Sequence, residues 1–180
     1  MIGVKSADLK AIATTDIDIE HEACEDIENA LAFFFTGVRC EPIERSGIVL
    51  VYAEKDYDPL QIVRNLVRSN IRCYWAIPIY TTCKTSYEDI TKCVLEFLLL
   101  SNIPKPIKLI FKCRKRGWSI DSCSKLLRYL GQIIEALDIA EIEFKKPEYV
   151  VRLEILGELT GISFYSIESE KEFRVARQAI

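Results

Sequence analysis

Residues 104–128 read PKPIKLIFKCRKRGWSIDSCSKLLR, and the fold follows from how this stretch alternates and turns. Leu109, Phe111 and Cys113 fall on one side of an alternating run, with Lys108, Lys112 and Arg114 on the other. A period of two predicts a strand over 107–113 with one buried face. Gly117 turns the chain, and a helix is expected over 121–138. Its buried stripe is Leu126, Leu130, Ile133 or Ile134, and Leu137. A strand feeding a helix through a short turn is the start of a layered α/β unit.

The charge of the same stretch sets it apart. Lys105, Lys108, Lys112, Arg114, Lys115, Arg116, Lys125 and Arg128 stand against one acid, Asp121, so the window carries +7. The whole chain of 180 residues carries -3, which leaves -10 for the rest. A basic stripe on an acidic protein is the electrostatic footprint of a polyanion site. Ion-pair networks would need both signs, and acids are almost absent here. The N–H groups opening a helix near Asp121 and Ser122 add a place for an anion. Lys125 and Arg128, three residues apart, share a helical face. Trp118, in the turn, can either stack on a base or pack on the core.

Working outward, Ser86-Tyr87-Glu88-Asp89 resembles a capping box with Asp in place of Glu, opening a helix whose apolar face is Ile90, Val94, Phe97 and Leu98. Residues 149–156 and 162–167 read as strands joined by a turn containing Gly157 and Gly161. Glu154, between Leu153 and Ile155, is expected to be a buried partner of a stripe arginine.

The first 80 residues differ in charge: they net -5, and the remainder nets +2. Residues 9–14 alternate as a strand. Ala23, Ile27, Ala30, Leu31 and Phe34 recur at helical spacing, with Glu22, Glu25, Asp26 and Glu28 on much of the other face. A short β-rich run follows at 48–53. Asp58-Pro59 is a helix start, with Leu60, Val63, Leu66 and Val67 inward and Arg64 and Arg68 outward. Residues 71–80 read as a strand in which Pro78 marks an edge or bulge. Strand and helix alternate here as in a ferredoxin-like layer. With no low-complexity linker between them, the two blocks are expected to pack together.

The remaining signals mostly exclude. No apolar run approaches the ~18 residues that span a bilayer, and no signal peptide is read, so a cytoplasmic protein is expected. The bias toward Ile, Glu and Lys leans to a thermophile. Seven cysteines form no C-x-x-C pair, and His21 is the sole histidine, so no metal site is expected. The cysteines read as small buried hydrophobes, with intracellular disulfides open as a possibility in a thermophile. The seven glycines form neither a dinucleotide fingerprint nor a P-loop. Cys113 and Cys123 flank the basic turn, where cations lower a thiol pKa, but Cys113 alternates inward with Phe111. No catalytic residue and no cofactor are expected.

The order Phe111-Lys-Cys-Arg114-Lys-Arg116-Gly117, then Ser122, Gly131, Phe144-x-x-Pro147-Glu148 and Val151-Arg-Leu-Glu154-Ile resembles a THUMP domain, the RNA-binding module of several tRNA-modifying enzymes. Ile77-Pro78-Ile79, the segment 86–90, and Glu154-Ile-Leu-Gly157-Glu158-x-x-Gly161-Ile-Ser163 extend the resemblance. They look like the stand-alone THUMP proteins that assist tRNA cytidine acetylation. It covers about residues 9–168. It implies a ferredoxin-like lobe (1–80) packed on a THUMP domain (81–168), with a tail at 169–180. It also implies a non-catalytic adaptor that binds tRNA for a separate tRNA cytidine acetyltransferase. The expected RNA contacts are Lys105, Lys108, Lys112, Arg114, Lys115, Arg116, Ser122, Lys125, Arg128, Lys145 and Lys146. One departure concerns the loop after the first strand, basic in relatives, which here reads Asp16-Ile17-Asp18-Ile19-Glu20 and favours a protein-facing or solvated role for that lobe. The alternative readings are a protein-interaction module and a detached RNA-binding subunit of another tRNA-modifying enzyme.

Overall fold

The computed structural model describes residues 7–175. They fall into two compact units, one running to Tyr80 and resuming at Ser169, the other Thr81–Glu168.

The first unit runs β1 (Ala7–Thr14), α1 (Glu20–Leu31), β2 (Arg39–Ile43), β3 (Ile48–Glu54), α2 (Pro59–Arg68) and β4 (Trp75–Pro78). Its antiparallel sheet has the order β2-β3-β1-β4, the ferredoxin-like arrangement. Helix α2 begins as its sequence dictates. Asp58 caps it by accepting from the Leu60 N–H at 3.1 Å, and Pro59 fills the first turn. Val63 and Leu66 are buried, Ile62 joins them, and Arg64 and Arg68 face solvent. Pro78 ends an edge strand, where its missing N–H costs nothing.

Strand β2 had no clear sequence signal, and α1 stops short of Phe34. The buried aromatic is Phe35, while Phe34 is 64% exposed. Residues 169–175 are not a separate tail. A 3-10 helix (Ile167–Phe173) buries Phe173, Trp75 bridges to Arg174, and the Val175 N–H donates to the Tyr74 carbonyl at 2.9 Å. The segment therefore covers the open edge of β4, a common way to blunt an edge strand. Residues 176–180 of the expected tail, and 1–6 of the first lobe, lie outside the described residues.

The acidic loop after β1 does structural work. Glu20 is buried, and its carboxylate accepts from the N–H groups of Ser46 (2.9 Å) and Gly47 (2.7 Å). Asp16 accepts from the Tyr74 hydroxyl. Gly47 takes φ +67°, and a Cβ there would lie 2.7 Å from the Thr15 carbonyl oxygen, so only glycine fits. Asp26 holds Arg72 by two side-chain bonds of 2.7 and 2.8 Å.

The second unit runs β5 (Thr81–Lys84), α3 (Tyr87–Leu100), β6 (Ile107–Arg116), α4 (Cys123–Ala136), β7 (Ala140–Ile142), β8 (Tyr149–Leu156) and β9 (Leu159–Ser166). The sheet order is β5-β9-β8-β6-β7, with β6 parallel to both β7 and β8 and the other pairs antiparallel. The core joins Ile90, Val94 and Leu98 of α3 and Leu126, Leu130 and Ile134 of α4 to Leu109, Phe111, Leu153 and Ile155 of the sheet. Burial of each such side chain is worth about 1.5–3 kcal/mol. Ser86 caps α3 by accepting from the Asp89 N–H at 2.9 Å, and its hydroxyl donates to the Asp89 carboxylate at 2.8 Å. Of the two candidates Ile133 and Ile134, Ile134 takes the buried position. Two expectations are corrected: Leu137 lies beyond the end of α4 and is 57% exposed, and Gly161 sits inside β9 opposite Glu154, not in the turn.

Strand β8 is central and buried on both faces. Glu154 is fully buried, as expected, but the arginine it holds is Arg152 of its own strand, at 2.7 Å, not one from the stripe. Burial works against the Arg152 charge, yet Glu154 and Tyr165 outweigh it and raise its pKa.

Two stability predictions follow from these carboxylates. Glu154→Ala strands the Arg152 charge and should cost about 3–5 kcal/mol in urea unfolding, with Glu154→Gln costing less. Glu20→Ala leaves the two N–H groups unpaired and should cost about 2–4 kcal/mol. The Glu20 carboxyl is held below its ordinary pKa, chiefly by the Gly47 N–H and against the opposing effect of burial. Its ionised form is therefore favoured in the folded state. Its contribution should be complete above the ordinary carboxylate range and be lost as pH falls through about 4 and below. Melts against pH should show a shallower acid limb for Glu20→Gln than for wild type.

Candidate nucleic-acid interface

The expected basic stripe divides when placed on the fold. Strand β6 rises about 30 Å from Ile107 to Arg116, so bases at its two ends do not share one concave site. At the near end, the Lys105 ammonium donates to the carbonyls of Ser101 (3.3 Å) and Ile103 (3.4 Å), satisfying the C-terminus of α3. Lys108 is exposed but pairs in register with Glu141, and it contributes to holding the Glu143 carboxyl ionised. These two lysines lie outside the cluster formed at the far end.

The far end carries Lys112, Arg114, Lys115 and Arg116 on the last residues of β6, whereas the turn with Lys145 and Lys146 is bonded beside Lys108 and Leu109 at the near end. Arg114 is exposed, opposite Glu154 in register, and Lys112 sits half-buried beside Arg152. Arg116 is half-buried, and its Nε has no hydrogen-bond partner among the described residues. Burial, then repulsion from Arg114, lowers its pKa, and Glu154 acts against both. Lys115 turns the other way: it donates to the carbonyls of Ile120 (2.8 Å) and Asp121 (3.0 Å), so it ties the loop instead of reaching outward.

That loop is fixed at several points. Cys113 and Cys123 form a disulfide joining the end of β6 to the first residue of α4, their Cα atoms 5.7 Å apart. Closing a loop of this length is worth on the order of 2–3 kcal/mol. The pairing departs from the reading of both as core thiols. Gly117 takes φ +122°, and a Cβ there would touch the Gly157 backbone at 3.4 Å, so two turns approach closely. Trp118 is 96% exposed, with the Lys115 ammonium 5.6 Å from its ring centroid. It does not pack on the core.

Helix α4 supplies the next wall. Ser122 caps it, accepting from the Lys125 N–H at 3.2 Å, so its hydroxyl oxygen is already engaged. Lys125 reaches back to Asp121 at 2.9 Å, which holds the Asp121 carboxyl below its usual range. Arg128 is exposed on the rim of a groove of about 420 Å³ running between α4 and the turn after β7. Ser124, Leu127, Gln132, Glu135, Ile142 and Phe144 also line this groove. Phe144 is 76% exposed, and the turn that carries it is held by Glu143, which accepts from the Lys145 and Lys146 N–H groups. Both lysine side chains are left in solvent.

The arrangement offers cations for phosphates, two exposed aromatic rings for bases, and first-turn N–H groups of α4 that have no intrahelical acceptor. Sequence reading missed the groove, because it depends on β7, a three-residue strand without a periodic signal. Phe144 before two lysines was the available clue.

No protein-family profile matches the sequence, and no curated protein is similar to it. Solved structures are similar in fold. TrmN from Thermus thermophilus is 17% identical with a TM-score of 0.57, and the match covers 87% of this chain and 45% of that one. PH1313 from Pyrococcus horikoshii Ot3 is 16% identical with a TM-score of 0.64, covering 89% and 55%. A 4-thiouridine synthetase, solved as an RNA complex with bound ATP, is 15% identical with a TM-score of 0.57, covering 88% and 41%. The chain thus spans about half the length of these proteins, and its fold is mixed α/β of the THUMP type.

Proposed function

We propose that this chain is a non-catalytic tRNA-binding module that presents tRNA to a separate modifying enzyme, a cytidine acetyltransferase. The observation that carries the RNA reading is the loop 114–118. An exposed tryptophan stands among arginines on a loop that a disulfide and the half-buried Lys115 tie down, so the loop backbone is restrained before any ligand arrives. Preorganisation of this kind lowers the ordering cost of binding. The RNA complex formed by one fold neighbour supports the choice of polyanion. The acetylation step rests on the sequence resemblance around Glu154–Ser163.

Binding should be dominated by phosphates with little base-sequence preference. With about 4–6 phosphates neutralised, log K should fall against log salt with a slope of roughly -3.5 to -5.5. Arg114→Ala with Arg128→Ala should weaken tRNA binding about tenfold or more and reduce that slope by roughly 1–2. Trp118→Ala should cost about 1–3 kcal/mol of binding and leave the slope unchanged, since a ring releases no counterions. Lys105→Ala with Lys108→Ala should do little. Filter binding across a salt series reads all four, and equal losses from both ends of β6 would mean the interface is misplaced.

The adaptor role has its own test. Purified protein with acetyl-CoA and tRNA should form no acetylcytidine, and a strain lacking the gene should lose 4-acetylcytidine from its tRNA. Product formed by the purified chain alone would overturn the non-catalytic reading; unchanged acetylcytidine in the deletion strain would overturn the choice of reaction.

A further inference from the structure

The first unit holds a group of side chains that RNA binding does not use. Cys24 and Glu28 are four residues apart on α1, so they project from one helical face. Cys40 lies on the edge strand β2 alongside. The thiol sulfurs of Cys24 and Cys40 and a carboxylate oxygen of Glu28 all lie within 4.8 Å of one another. Glu28 is anchored there, because its Oε1 accepts from the Cys40 N–H at 2.7 Å.

We propose that Cys24, Glu28 and Cys40 form a binding site for a zinc-class divalent cation. A tetrahedral zinc with Zn–S near 2.3 Å and Zn–O near 2.1 Å needs donor separations of about 3.5–3.8 Å. The present spacing reaches that by small side-chain adjustments. Two soft sulfurs with one carboxylate select zinc over magnesium or calcium, which take oxygen donors. The fourth position is left for water.

The surroundings favour a cation. Glu25 and Glu41 join Glu28 in placing negative charge around Cys24. A thiol serves as a ligand only once it has lost its proton. Binding therefore releases one proton to solvent from each thiol that becomes a ligand, and the metal's two positive charges replace them. Helix α1 and β2 would then be joined at the edge of the sheet, where β2 has a neighbour on one side only.

The test uses the full chain, reduced, with Co2+ as the spectroscopic probe. One equivalent should bind, giving visible d–d bands and a near-ultraviolet sulfur-to-cobalt charge-transfer band. Zn2+ should displace it, and the melting temperature should rise with metal. Cys24→Ser with Cys40→Ser should abolish the bands. Since that pair is partly buried, Glu28→Gln is the second variant: it keeps an acceptor for the Cys40 N–H and should lower affinity on the order of tenfold or more while the apo protein melts normally. Cys83 and Cys93 are a second adjacent thiol pair, and reduction frees Cys113 and Cys123. Serine variants of either pair should leave the bands intact. Absence of a cobalt spectrum in the wild type, an unchanged affinity in folded Glu28→Gln, or loss of the bands in either of those control variants would overturn the proposal.

Discussion

Eight residues of β6, from Leu109 to Arg116, pair in parallel with Tyr149–Leu156 of β8, and the second unit is organised around that pairing. Parallel neighbours cannot be joined by a hairpin and need a long crossover. Here the crossover holds α4 and β7, so α4 must start where β6 ends. The strand is apolar on its core side, so its charged positions can only fall on the other face and at its exit. The helix N-terminus and the basic exit are thereby brought to the C-terminal ends of parallel strands, where open α/β sheets place their ligands. Position follows from topology before any side chain is considered.

Within that frame, charge alone is a poor guide to contact. Of the stripe's bases, Lys105 is spent on the end of α3, Lys115 on two loop carbonyls, and Lys125 on Asp121. Exposed ion pairs such as the last are worth little, about 0–1 kcal/mol, so a phosphate can compete for Lys125. It cannot compete as easily for Lys115, whose release would free the Ile120 and Asp121 carbonyls together. The acids of the first unit show the same point in reverse. Glu20 and Asp16 read in the sequence as part of a protein-facing or solvated loop, but both carboxylates are occupied by loop and tyrosine donors.

Long periodic elements were legible because burial imposes their pattern. The alternation of β6, the Asp58-Pro59 start of α2 and the Ser86 cap of α3 each follow from local chemistry, and the two-unit order follows from them. Short pairings were not. Strand β2 is five residues long, carries Pro42 and has no fully buried residue, β5 has four residues and β7 three. Each is strand only because a longer neighbour supplies its hydrogen bonds. Phe34 and Leu137 were misplaced for a related reason: periodicity continues in the sequence past the point where the helix stops. The Arg152–Glu154 pair was half legible, since alternation gives burial but not which of several cations a carboxylate will choose.

Cysteine was the least legible residue type, and the structure shows why. Cys113 alternates inward with Phe111, which is equally consistent with a core thiol and with a disulfide. The deciding fact is that α4 returns its first residue to within 5.7 Å, a tertiary event that spacing along the chain does not encode. Cys24 and Cys40 raise the same difficulty across a helix and a strand that are sixteen residues apart in sequence. A metal-binding spacing is readable when ligands sit in one turn, because local geometry then fixes their separation. When a sheet edge and a helix face bring them together, only the ferredoxin-like pairing of β2 beside β3 determines that they meet. The thiols of this chain therefore take their chemistry from the topology, and the basic loop owes its rigidity to the same cause.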